Sequence, residues 1–133
     1  MNLVPLCLGV VLAACSPAPT DEERQVALQN TFNEVCELAE LDCSNIEIKY
    51  KGLVSNIEGE ANLYNSGKMD VNINRLYKGN PSKVRGIVTH EVSHLVVFST
   101  SDTPHKHHHG RQFNNVCKSL SFKAKVNQAF CTR

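Results

Sequence analysis

Thr89-His90-Glu91-Val92-Ser93-His94 is the stretch on which the reading of this chain turns. Two histidines stand four residues apart, and Val84, Ile87, Val88, Val92 and Leu95 recur around them at intervals of three and four, the spacing of a packed helix face. Residues four apart on a helix lie one turn apart on the same side, so both imidazoles can reach one metal ion. Glu91 then sits beside them, placed to accept a proton from an attacking water and not to ligate. The helix is predicted over about 82–98, with Asn80 as N-cap and Pro81 in the first helical position, where a missing N–H costs nothing. Val and Ile are weak helix formers on their own, so this helix must be held by burial.

A tetrahedral zinc ion with one position open to water needs three protein ligands, and imidazole suits it. Four further histidines follow in Pro104-His105-Lys106-His107-His108-His109-Gly110. By donor chemistry alone any of them can be the third ligand of a single Zn2+ ion, the rest of the run being a solvated loop or an adventitious metal-binding tract.

Outward from the motif, the pattern is that of a small α+β domain over 21–133. Thr20-Asp21-Glu22-Glu23 has the form of a capping box, and Val26, Leu28, Phe32, Val35 and Ala39 follow at helical spacing, predicting a helix over about 21–41. Ile46, Ile48 and Tyr50 then alternate with Glu47, Lys49 and Lys51, and Met69, Val71 and Ile73 alternate with Lys68, Asp70 and Asn72. Period-two alternation predicts half-buried strands. A third short strand is expected within 59–64, joined through the turn Asn65-Ser66-Gly67, giving a short and mostly antiparallel sheet. C-terminal helices are expected from near Gly110, carrying Phe113, Val116, Cys117 and Leu120, and over 122–130.

The chain has 133 residues, 41% of them hydrophobic and 20% charged, which excludes wholesale disorder, collagen-like repeats and a multi-span membrane protein. A formal net charge of +1 argues against a protein that coats nucleic acid, and no nucleic-acid partner is expected. That balance conceals two unlike parts: residues 1–60 carry a net −7 and residues 61–133 a net +8. Because the basic groups are scattered, complementary parts of one small domain explain the asymmetry better than a binding face for anions.

Residues 3–14 form an apolar run too short to span a bilayer, in the position of a secretory h-region. It ends in Leu12-Ala13-Ala14-Cys15, which resembles the lipobox of bacterial lipoproteins; no basic residue precedes Leu3, and an ordinary cleaved signal or a buried apolar N-terminal segment is the alternative. The resemblance implies a signal segment over 1–14, lipidation at Cys15 and a Pro-punctuated tether over 15–20. Ser16 after the cysteine resembles the outer-membrane-sorted type, which implies a lipid-anchored protein of the cell envelope facing the periplasm. Cys36, Cys43, Cys117 and Cys131 then remain for two disulfides, proximity favouring Cys36–Cys43 and Cys117–Cys131.

From Gly67 to Phe113 the chain resembles the SprT-like zinc metallopeptidases. The resemblance rests on an edge strand, here Lys68-Met69-Asp70-Val71-Asn72-Ile73, on the helix bearing His90-Glu91-Val92-Ser93-His94, and on an H-G-x-x-F/W element met by His109-Gly110-Arg111-Gln112-Phe113. It implies a compact gluzincin-like fold and selects His109 as third ligand beside His90 and His94, with Glu91 as general base. It also implies that the Met69–Ile73 strand pairs an extended protein or peptide substrate. The DNA-linked role of the intracellular members is not carried over, since this chain lacks their cysteine cluster and reads as exported. His107, His108, Arg111 and Tyr77 are candidates for stabilising the transition state or touching substrate. The expectation is a membrane-tethered zinc peptidase of the envelope. Its competitor is a non-catalytic metal-binding or interaction lipoprotein that uses the histidine-rich segment.

Overall fold

The computed structural model describes residues 17–102 and 109–132. The expectations placed on the leader, on Cys15, and on His105, His107 and His108 lie outside the described residues. Helix α1 (Asp21–Leu38) begins at the expected capping box: the Thr20 side chain accepts from the Glu23 N–H and the Glu23 carboxylate accepts from the Thr20 N–H. Leu28, Phe32, Val35 and Cys36 are its buried face, while Val26 is exposed. The helix stops short of the expected 41. Glu40 adopts a left-handed φ of 55°, the Leu41 N–H reaches back to the Cys36 carbonyl, and Cys36 is bonded to Cys43. This is a Schellman ending built without the glycine that would have announced it.

Strands β1 (Glu47–Lys51), β2 (Gly59–Leu63) and β3 (Met69–Asn74) form a sheet in the order β1-β3-β2. β2 and β3 are antiparallel as expected, with Ala61 opposite Val71, but β1 and β3 are parallel, with Ile48 opposite Val71, so the sheet is mixed. The expected edge strand is therefore central. β3 spends its backbone hydrogen bonds on neighbours at both sides and has none left for a substrate; β1 and β2 are the edges. Ile48, Val71 and Ile73 belong to the main core together with α1 residues and Val84, Ile87, Val88, Val92 and Leu95 of α2 (Pro81–Thr100). That α2 face is the one predicted. On the opposite face of the sheet, Asn74 is fully buried because its amide donates to the carbonyls of Leu53, Val54 and Ile57 and holds the loop before β2 in place.

Helix α3 (Arg111–Ala124) packs on α2, and a 3-10 turn, Gln128–Thr132, folds back beneath both. The expected final helix over 122–130 is thus divided: Phe122 is still in α3, which ends at Lys125 in the left-handed region. Val97, Phe113, Cys117 and Cys131 form a second, smaller core, closed by the Cys117–Cys131 disulfide. Among the described residues no helix is long and apolar enough to cross a membrane.

Candidate metal centre

Both motif histidines project from the buried side of α2, each 8% exposed, and Glu91 between them is 5% exposed. His109, one residue before the N-cap of α3, comes in from the opposite side and is exposed to solvent. The three Nε2 atoms form a triangle with every edge 3.2 Å. Three imidazoles cannot hydrogen-bond around such a ring, since each nitrogen offers either a proton or one lone pair. A tetrahedral zinc ion with Zn–N bonds of about 2.0–2.1 Å requires N···N edges of about 3.3 Å. The triangle fits a metal of that size, and the three histidines form a group able to hold one.

Two contacts orient the histidines. His90 Nδ1–H donates to the carbonyl of Phe130, which leaves the Nε2 lone pair turned toward the centre of the triangle, where a metal could be held. Phe113 lies against all three rings, with centroid distances of 4.9 Å to His90, 4.3 Å to His94 and 5.0 Å to His109. Both support residues escaped the sequence reading in this role. Phe113 was visible as the last letter of the H-G-x-x-F/W element and as a packed residue of the expected C-terminal helix, and nothing in the sequence links Phe130 to His90.

The histidines and Glu91 open into a cavity of about 670 Å³, walled on the other side by Glu58, Gly59, Glu60 and Ala61 at the start of β2, with Tyr77 at its margin. Burial first, then the carboxylates of Glu60 and Glu58, push the Glu91 carboxyl up to about 8. Glu58 is engaged by Lys83 at 2.8 Å, while Glu60 accepts from the Asn72 amide at 2.8 Å and the Asn62 amide at 3.2 Å. Gly59 brings the edge strand close to Glu91: a Cβ there would lie 3.1 Å from Glu91 Oε2. The SprT-like family pattern matches residues 25–132, which takes in the whole of this site and most of α1 beyond its first turn.

The chain belongs to the SprT-like family. No curated protein is a match. In this SprT-like chain the structure brings His90, Glu91, His94 and His109 together and sets Tyr77 on the wall of their cavity. Arg111 is exposed at the first turn of α3 and does not line that cavity.

Proposed function

We propose that this SprT-like chain is a zinc-dependent peptidase that hydrolyses peptide bonds in protein or peptide substrates, tethered to a membrane of the cell envelope through Cys15. The observation that carries the chemistry is the 3.2 Å triangle of His90, His94 and His109 nitrogens beside the buried carboxyl of Glu91. Zinc at that position would lower the pKa of a water toward neutrality and polarise the scissile carbonyl. Glu91, walled off from bulk solvent, takes the proton of the attacking water and returns it to the leaving amine. An extended substrate would lie along β2, the edge strand whose Gly59, Glu60 and Ala61 face the cavity, and pair with its backbone. Two disulfides support an oxidising compartment, and the lipobox-like Leu12-Ala13-Ala14-Cys15 supports the anchor.

Glu91→Gln tests the peptidase reading. The variant is expected to retain zinc stoichiometry and to lose cleavage of denatured casein by about 100-fold or more. Unchanged cleavage would refute Glu91 as the base. Absence of cleavage in the zinc-loaded wild type would favour metal capture over hydrolysis. Mass spectrometry of the protein made in a bacterial host should find an acylated N-terminal Cys15, and an intact Met1 would overturn the anchor.

A further inference from the structure

His90 turns its Nδ1 toward a carbonyl supplied by the far end of the chain, that of Phe130. A proton on Nδ1 leaves the lone pair on Nε2, so this carbonyl selects the ligating tautomer and fixes the ring's orientation. The 3-10 turn that carries Phe130 is five residues long and is held from two directions. One hold is a close approach: the Phe130 ring lies on the backbone of α2 at Gly86, where a Cβ would come within 2.4 Å of Phe130 Cε2 and Cζ. The ring can rest there because residue 86 has no side chain. The other hold is covalent. Cys131, next to Phe130 and 1% exposed, is bonded to Cys117 of α3, one helical turn beyond the Phe113 ring that supports all three imidazoles.

We infer that Phe130 is a positioning residue of the metal centre, and that Gly86 and the Cys117–Cys131 bridge keep its carbonyl on His90. The bridge therefore ties together two supports of the ligands, the carbonyl behind His90 and the ring against all three. The other bridge, Cys36–Cys43, closes the end of α1 and provides a control for the loss of a disulfide as such. The inference rests on reading the triad as a metal centre, but not on peptidase activity.

Two readouts test it: zinc affinity by competition with a chromophoric chelator, and the proton-nitrogen NMR signal of His90 Nδ1–H in metal-free protein. Cys117→Ser/Cys131→Ser is expected to lose about tenfold or more in zinc affinity, the usual effect of removing a ligand's outer hydrogen-bond support. It should also lose the protected Nδ1–H signal, while Cys36→Ser/Cys43→Ser keeps both. Gly86→Ala, with both bridges intact, should lower affinity in the same way even though alanine is the better helix former. Adding Phe130→Leu, which removes ring atoms and retains the carbonyl, should restore it. If the Cys117/Cys131 variant does not fold, the Gly86→Ala pair decides alone. Wild-type affinity and a retained Nδ1–H signal in Gly86→Ala would overturn the inference. A wild type that takes no zinc would refute the metal reading instead, and the Nδ1–H comparison would still decide the positioning role.

Discussion

The ring of Phe113 stacks on that of His94, their centroids 4.3 Å apart and their planes inclined by 28°. Since Phe113 is 1% exposed and also touches His90 and His109, one side chain serves both as core packing and as the floor of the site. Phe113→Ala should lower unfolding free energy by about 3–5 kcal/mol and weaken zinc binding together. Phe113→Leu restores most of the volume without the flat ring, so it should recover stability more than affinity. Urea unfolding and zinc competition on both variants check this. Parallel recovery of the two quantities would show that the ring's shape is not what orients the histidines.

The equal 3.2 Å edges of the nitrogen triangle imply that each histidine is needed for tight binding. His90→Ala, His94→Ala and His109→Ala should each remove stoichiometric zinc after dialysis, measured by metal analysis, while His107→Ala retains it. Because a ligand bound to the native state alone stabilises it, zinc at about 100 times its Kd should raise wild-type stability by about 2.7 kcal/mol, and chelator should abolish the gain. Equal zinc retention by His109→Ala and His107→Ala would remove His109 from the ligand set.

How far the sequence carried depends on the range of the interaction concerned. The capping box at Thr20, the Asn80-Pro81 start of α2 and the strands β1 and β3 are local, and each appears where its residues place it; β1 alternates in burial, whereas β3 is buried on both faces, Asn72 and Asn74 included, and is not the half-buried strand its pattern predicts. The two motif histidines needed only helical spacing. Strand order did not follow, because alternation reveals which face of a strand is buried and nothing about its neighbours; hence β3 read as an edge although it lies at the centre. Helix ends were misjudged at Glu40 and Lys125 because neither left-handed residue is a glycine. The contacts of Phe130 with His90 and Gly86 join the chain's last turn to its central helix, a juxtaposition that no local pattern encodes.

Gly59 offers a separate handle on the edge strand. A Cβ at this position would meet Ile87 Cγ2 at 2.8 Å, Glu91 Oε2 at 3.1 Å and the Asn72 carbonyl at 3.2 Å, so the strand backbone and the Glu91 carboxyl are already in near contact. Gly59→Ala should cost about 1–3 kcal/mol through overpacking, read from urea unfolding. Cleavage should fall further than zinc affinity, because Glu91 and the strand shift while the three imidazoles, held by Phe113 and Phe130, do not. A fall in zinc affinity as large as the fall in cleavage would contradict this separation.

The Glu91 carboxyl, ordinarily near 4.5, is pushed up to about 8 in the folded chain, chiefly by burial and then by Glu60 and Glu58. Its folded pKa is therefore raised, and the native state holds a proton that the unfolded chain releases near 4.5. The stability tied to that proton is fully present below pH 4.5 and is lost as pH rises through about 8. Metal-free wild type should accordingly lose stability, relative to Glu91→Gln, across this window, by on the order of a few kcal/mol at about 1.4 kcal/mol per pKa unit. Zinc should shrink the difference, since a nearby cation favours the carboxylate. Urea unfolding of both chelator-treated proteins between pH 5 and pH 9 measures it. Curves that run parallel across that range would mean that the buried carboxyl ionises without cost, and the walls of the cavity would then have to be wetter than their packing implies.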